Sequence, residues 1–402
     1  MQADYNVIIV GGGLAGGCLA IALQQTGLKI AVIEAVSWDQ RAKSGAGDRA
    51  LALASGTVKM LEKLGVWQAA KSKATAIENI HISDQGHFGK TRLSAQQEEV
   101  EALGYVIVAR DIEAHVTNLL DQSGIDQICP ARAIGLTSGK DLAHLSLKRE
   151  NESLNLSAQL IIGADGGQSS VRKLLDISQQ VTEYGQTAIV TTVKPEKSHQ
   201  NTAYERFTSS GPLAMLPLGD AFAVVWTRTH QQANDLLILD ETSFLEQLQA
   251  CFGYRLGELS LQSPRRSFPL SLVRAKKMTT GRTVIIGNAV HQLHPVAGQG
   301  FNLGLRDVVQ LAEMIIEQNQ ANKDIGDAIL LKAYAQSRQK DHDRVVNFTN
   351  SVVGIFSNEW LAVAAARNAG LTLLDHLPFA KTHFARYAMG LHMRMSHFGK
   401  QN

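Results

Sequence analysis

Cysteine is scarce: three residues, Cys18, Cys129 and Cys251, lie far apart and form no CxxC pair. An odd, scattered set excludes a disulfide framework and fits a reducing, cytoplasmic setting. An excess of one charge is also missing, because Lys+Arg 39 against Asp+Glu 37 leaves a formal net charge of +2. With its basic residues scattered, the chain has no electrostatic footprint for nucleic acid. The densest basic stretch, Arg265, Arg266, Arg274, Lys276, Lys277 and Arg282, reads as a solvated face, and the acidic cluster Glu98, Glu99 and Glu101 as a solvated turn. No apolar run is long enough to span a bilayer. The best candidate, Leu361 to Leu374, is broken by Arg367 and Asn368, so any membrane contact is expected to be peripheral. Asp4 stands where a signal peptide would be basic, and a glycine turn interrupts the apolar segment that should follow. No G-x-S-x-G elbow accompanies Ser169 and Ser170, which therefore read as helix-starting residues. His291 and His294 lack a carboxylate or cysteine set at ligand spacing, so no metal site is expected.

What is present is ordinary in bulk and specific in detail. At 402 residues, 45% hydrophobic and 19% charged, the chain exceeds the size at which one core stops growing, so two lobes are expected. Tyr5 to Val10 is a short apolar run ending at glycine. Leu14, Cys18, Ile21 and Ala22 follow at helical spacing, then a second apolar run, Ile30 to Ile33. This order reads strand, helix, strand. The turn Gly11-Gly12-Gly13-Leu14-Ala15-Gly16 suits a pyrophosphate: Gly11 for the bend, Gly13 for close backbone approach, Gly16 for helix packing. Glu34, eighteen residues after Gly16, stands where an acid meets an adenosine ribose. These features specify a dinucleotide site.

Ser55 and Asp111 read as caps of two packing helices. Thr187 to Leu270 breaks into short runs separated by Gly, Pro and Asp, the pattern of an antiparallel sheet. Strand Val284 to Ile286 then leads through a Gly/Pro-rich loop to a helix starting near Asn302. The fold expected is α/β: a discontinuous dinucleotide-binding Rossmann-like lobe (1–75, 100–180 and 280–335), an antiparallel β-sheet substrate lobe (76–99 and 181–279), and C-terminal helices (336–402). Two further segments stand out, Gly163-Ala164-Asp165-Gly166 with Ser169 and Arg172, and His294-Pro295-Val296-Ala297-Gly298-Gln299-Gly300-Phe301-Asn302. Singly, each also reads as a turn with a capping Asp or Asn.

In this order the three motifs resemble the flavoprotein aromatic hydroxylases, the 4-hydroxybenzoate hydroxylase-like family, nearly end to end. His294 to Gly300 and Asn302 to Asp307 resemble its ubiquinone-biosynthesis branch, as do Tyr204 to Thr208 and Gly211 to Pro217. The resemblance implies that Gly11, Gly13, Gly16 and Glu34 bind the ADP half of FAD. It implies that Arg49 reaches the phosphates, Arg110 the ribityl region, and that Asp165 and Gly166 serve flavin and nicotinamide. The loop Pro295, Ala297, Gly298, Gln299, Gly300, Phe301 and Asn302 would wrap the isoalloxazine ring, with Pro295, Gly298, Gln299 and Gly300 shaping its reactive face. Asn288 replaces the aspartate usual after Gly287, so a neutral amide would accept from the ribityl chain. The implied activity is NAD(P)H- and dioxygen-dependent hydroxylation of a polyprenylated phenol by way of a flavin hydroperoxide, with no acid–base triad and with peripheral membrane or pathway-protein contacts. A prenyl-chain reductase and a non-catalytic prenyl-binding protein are the alternatives. Isolated Trp38, Trp67, Trp226 and Trp360 form no W-x-W pair, which disfavours a halogenase.

Overall fold

The computed structural model describes residues 3–42, 45–150, 152–356 and 360–391. Its first sheet has eight strands, and its centre is parallel: Tyr5–Val10 lies between Ile30–Ile33 and Glu152–Gly163, with Thr283–Ile285 beyond. Side chains of successive strand residues alternate between faces, and both faces are covered. Val7, Ile9, Val32, Leu160 and Ile162 pack under helices Leu14–Leu23, Ala109–Gln122 and Gln299–Gln320; Ile8, Val10, Ala31, Ile33 and Ile161 pack on the other side. Strands buried on both faces read as continuous apolar runs, which is why these segments stood out.

The second sheet has nine strands and is antiparallel except for one pair: Asn79–Asp84 runs parallel to Thr202–Thr208. That pair departs from the purely antiparallel expectation. One face carries Ile189, Leu213, Met215, Val224 and Trp226 against helices His230–Ile238 and Glu241–Phe252. A small third sheet, Ala50–Ala54, Gly104–Val108 and Thr75–Ile77, adds Leu51 and Leu53 to a wall of the cavity described below.

Two expected caps are corrected. Ser55 is the first residue of helix Ser55–Lys63, and Ala54 precedes it without a side-chain cap. The Ser55 and Gly56 amides donate instead to the carbonyls of Leu103 and Met389 at 3.3 and 2.8 Å. Asp111 lies in the first turn of Ala109–Gln122, where the Ala109 amide donates to the Arg49 carbonyl, and Asp111 pairs with Lys73. In both cases tertiary carbonyls do the work of a cap. Ser169 does cap a helix, accepting from the Arg172 amide. The basic stretch is not one solvated face: Arg265 donates to the Leu236 and Leu239 carbonyls, Arg266 pairs with Asp48, Arg274 with Asp343, and buried Arg282 with Asp324.

Three helices follow, Ala328–Phe356, Leu361–His376 and Pro378–Ala388. Arg367 and Asn368, which interrupt the apolar stretch, both donate to Asp84, at 2.7 and 2.9 Å, and Asn368 accepts from the Gly89 amide. The second of these helices is therefore docked on strands Asn79–Asp84 and Lys90–Ser94. No described helix is long and apolar enough to cross a membrane.

Candidate functional site

The glycine turn sits at the carboxyl edge of the parallel strands, where open α/β sheets bind ligands. Helix Leu14–Leu23 starts without a side-chain cap and without an acid in its first turn, so its positive end carries no anion of its own. Gly16 is obligatory by contact: a Cβ there would lie 1.9 Å from the Gly11 carbonyl oxygen. Gly11 has φ +106°, and a Cβ would strike the Ala164 carbonyl at 2.6 Å, so the first and second motifs touch. Glu34 accepts from the Gly12 amide (2.8 Å), the Val36 amide (3.0 Å) and Arg41 (3.4 Å). Three donors leave part of its four-site accepting capacity for a ribose hydroxyl. Arg41 also pairs with Glu113 and stands 3.7 Å from where a Gly13 Cβ would be. Sequence reasoning missed Arg41, because it lies in the five-residue helix Trp38–Ala42, too short to show a helical period.

From this edge a cavity of about 1040 Å³ runs between the two large sheets. That is the upper end of the range of roughly 300–1,000 Å³ for small-ligand sites, so it accommodates a dinucleotide together with part of a second molecule. Gly11, Gly13, Glu34, Arg49, Asp165, Gly166, Asn288, Pro295, Gly298, Gln299, Gly300, Phe301 and Asn302 line it. Gly16 lies beneath the turn. Arg110 is not on the wall; its guanidinium pairs with Asp48 at 2.7 Å. The backbone of Ala297 belongs to the turn Val296–Gly298, but its side chain lies outside what the structure describes.

Several of these residues act by holding backbone. Asp165 accepts from the amides of Ser170 (2.6 Å) and Val171 (3.1 Å) and from the Ser170 hydroxyl (2.7 Å), so it fixes the start of helix Ser170–Leu174. Buried Asn302 accepts from the Ala54 amide at 3.0 Å and donates to the carbonyls of Ala52 (3.0 Å) and Gly298 (2.7 Å). It ties the loop to strand Ala50–Ala54. Gly298 is left-handed, φ +61°, and a Cβ would meet that of Ala52 at 2.8 Å. Asn288 is exposed to the cavity.

His291 and His294 do not form a pair. The Val296 amide donates to His294 Nδ1, which leaves Nε2 to donate to Gln186 Oε1, both at 3.3 Å; burial pushes this imidazole down to about 4, so it is neutral. His291 instead approaches Asp307 and His342, whose ligand atoms lie within 4.8 Å of one another. The Arg338 guanidinium already holds Asp307 at 2.7 Å, where a cation would compete. Burial alone would raise the Asp307 carboxyl, but His342 and Arg338 outweigh it and hold the group well below its ordinary range. Asp307 also accepts from the Gly287 amide at 3.2 Å, steadying the turn that carries Asn288.

The sequence pattern of the FAD binding domain family matches residues 4–349. The chain belongs to this family. FAD is its cofactor, and the residues fit it: a glycine-built cradle, an uncapped helix N-terminus and an acid at the second strand's end. The chain is 36% identical to an uncharacterized protein of Synechocystis, over 96% of this chain and 94% of that one. It is 34% identical to ubiquinone hydroxylase UbiL of Rhodospirillum rubrum, over 96% and 89%. The crystal structure of p-nitrophenol 4-monooxygenase PnpA from Pseudomonas putida superposes with TM-score 0.80 over 98% of this chain and 100% of that one; at 17% identity the likeness is one of fold.

The far half of the cavity is apolar, and its lining comes from segments too far apart to be grouped by sequence pattern. Ile80, Ile82, Leu93, Phe207 and Leu216 come from the second sheet; Phe348, Val352, Phe356, Leu371, Leu374 and Phe384 come from the C-terminal helices, and Met389 from just beyond the last of them. Phe207 stacks on Phe356 with ring centroids 3.7 Å apart. Among these apolar residues stands Glu205, whose Oε1 is buried without a hydrogen-bond partner and whose carboxyl burial pushes up to about 7. A signal for it existed: Ala203, Glu205 and Phe207 share one face of a strand, so an acid interrupts an apolar alternation.

Proposed function

We propose that this protein is an FAD-dependent monooxygenase that hydroxylates the ring of a polyprenylated phenol in ubiquinone biosynthesis. One observation carries the reading: a single cavity joins a nucleotide cradle to a long apolar channel. A dinucleotide fits the first and a prenyl chain the second. The ubiquinone hydroxylase among the relatives supports the pathway. Segments Tyr204 to Thr208, Gly211 to Pro217 and Gly287-Asn288 resemble 2-octaprenyl-6-methoxyphenol hydroxylase, which makes a prenylated methoxyphenol the first substrate to test.

Bound FAD supplies the redox chemistry, taking electrons from NAD(P)H and activating dioxygen. The protein's part is to bind, orient and exclude water. Gly11 and Gly13 offer backbone to the pyrophosphate, Glu34 accepts from the adenosine ribose, and Arg49 faces the phosphates. Asn288 accepts from the ribityl chain. The Pro295 to Gly300 loop, held on strand Ala50–Ala54 by Asn302, shapes the reactive face, and neutral His294 braces it against Gln186. The apolar walls keep water from the ring. The C-terminal helices carry exposed Leu373, Leu377 and Phe379 beside the channel-lining Leu371, Leu374 and Phe384, and this side meets the membrane that supplies the substrate.

Purified protein should be yellow, consume NAD(P)H and dioxygen when given a prenylated phenol, and yield a product one oxygen atom heavier. A product heavier by hydrogens alone makes it a prenyl-chain reductase. A colourless protein that binds prenyl chains makes it a carrier.

A further inference from the structure

We propose that Glu205 receives the hydroxyl proton of the phenolic substrate, so that its carboxylate is both the polar end of the substrate pocket and a base in ring hydroxylation. The inference rests on the monooxygenase reading above and adds a residue to it.

Placement comes first. In the second sheet Glu205 lies across from Ile82 on one side and Ala214 on the other, and Ala214 lies across from Val225. Along its own strand the same face carries Ala203 and Phe207. All of these line the cavity. The carboxyl is thus set in an apolar wall, and the smallest side chain in its row, Ala214, leaves room beside it for a ring.

Energetics make the placement informative. An acid without a partner in apolar surroundings is costly, and buried polar atoms are nearly always paired. Oε1 of Glu205 accepts no hydrogen bond from the described residues. The titratable groups of the surrounding elements are engaged elsewhere: Asp84 with Arg367, Arg266 with Asp48, and neutral His294 with Gln186. Arg206, the next residue, points to the opposite side of the strand by alternation. Burial is the one cause that moves the Glu205 carboxyl, raising it to about 7. A ligand that brings an O–H donor on an apolar ring supplies what is missing, and a phenol is that ligand.

The chemistry balances. Overall, phenol, dioxygen, NAD(P)H and a proton give the ring-hydroxylated product, water and NAD(P)+; dioxygen takes two electrons from NAD(P)H and two from the ring. As the ring's electron pair forms the new C–O bond, the O–O bond breaks and the second oxygen leaves to become water; the phenolic O–H bond breaks in the same event, its electrons become C=O, and its proton passes to Glu205. Loss of the ring C–H proton and return of Glu205's proton to the carbonyl oxygen restore the aromatic diol. General-base help of this kind is worth about 10²- to 10⁴-fold, and a base titrating near the working pH is well matched to it.

The test uses the FAD-loaded full chain. Wild-type kcat/KM should rise with pH to a plateau through a pKa near 7. Glu205→Gln should lose that limb and about 10²- to 10⁴-fold in kcat while keeping its flavin. Glu205→Asp should restore part of both. Binding without turnover, followed by protein fluorescence with NAD(P)H omitted, should tighten several-fold above pH 7 for the phenol and stay flat for its methyl ether, which has no proton to give. Glu205→Gln should erase that difference. If Glu205→Gln fails to fold, Ala214→Leu decides: it fills the space beside the carboxyl and should block phenol binding with flavin retained. A Glu205→Gln enzyme that keeps the pH limb and the phenol-over-ether preference, or an Ala214→Leu enzyme that binds phenol normally, overturns the proposal. Wild type that hydroxylates no phenol overturns the monooxygenase reading instead.

Discussion

The two ends of the cavity are built by opposite means. The cofactor end is made of backbone: Gly11 and Gly16 admit contacts that any Cβ would forbid, and Asp165, Asn302 and Asp307 spend their side chains holding main-chain groups. The channel end is made of side chains alone, apolar residues contributed by the second sheet and three C-terminal helices, with Glu205 as their polar interruption. Backbone geometry tolerates few sequences, whereas an apolar wall tolerates many of similar volume. Substitutions at the first end should therefore act sharply and at the second gradually.

The sharpest break is Gly16→Val, which sets carbon on the Gly11 carbonyl; the purified protein should be colourless by its flavin-to-protein absorbance ratio. Next is Glu205→Gln in thermal unfolding. The folded pKa is raised from 4.5 to about 7, so the stabilisation is complete below pH 4.5 and is lost as pH rises through 7. The variant should match wild type at pH 4.5 and exceed it at pH 8 by on the order of 3 kcal/mol; equal melting at both pH values would show a solvated carboxyl. Asn302→Ala strands the Ala54 amide and two carbonyls, which costs about 1–3 kcal/mol, read as roughly 5- to 150-fold weaker FAD retention on dialysis. Phe356→Ala removes a stacked pair worth about 0.5–1.5 kcal/mol, so KM for a long-chain substrate should rise about 2- to 10-fold with kcat, flavin content and short-chain KM unchanged. Smallest is Asn288→Asp, which should keep FAD as tightly or bind it several-fold tighter; weaker retention would remove Asn288 from the ribityl contact.

The same contrast explains what the sequence disclosed. The strands Tyr5–Val10 and Ile30–Ile33 were legible with their ends, and the helix between them by its spacing, because the turn fixes glycine spacing and both faces of the strands are buried. Asp165, Asn302 and Gly298 were legible as motif residues, but not their duties, which depend on strand Ala50–Ala54 and helix Ser170–Leu174. Arg110 was placed by resemblance, and its pairing with Asp48 shows only in three dimensions. The helix starts at Ser55 and Asp111 were misread because distant carbonyls replaced the local cap. The parallel pairing of Asn79–Asp84 with Thr202–Thr208 joins segments over a hundred residues apart and leaves no local trace.

The parallel sheet draws its strand Thr283–Ile285 and the flavin-facing loop from late in the chain, about 270–280 residues after its glycine turn. At about 5–20 residues per second, the ribosome releases that turn roughly 15–60 s before residue 298. During this interval the emerging polypeptide holds a phosphate cradle with no ring-binding loop to complete it. Flavin capture is then a late event of biogenesis, and a ribosome stalled before residue 280 should carry a nascent chain that retains no FAD.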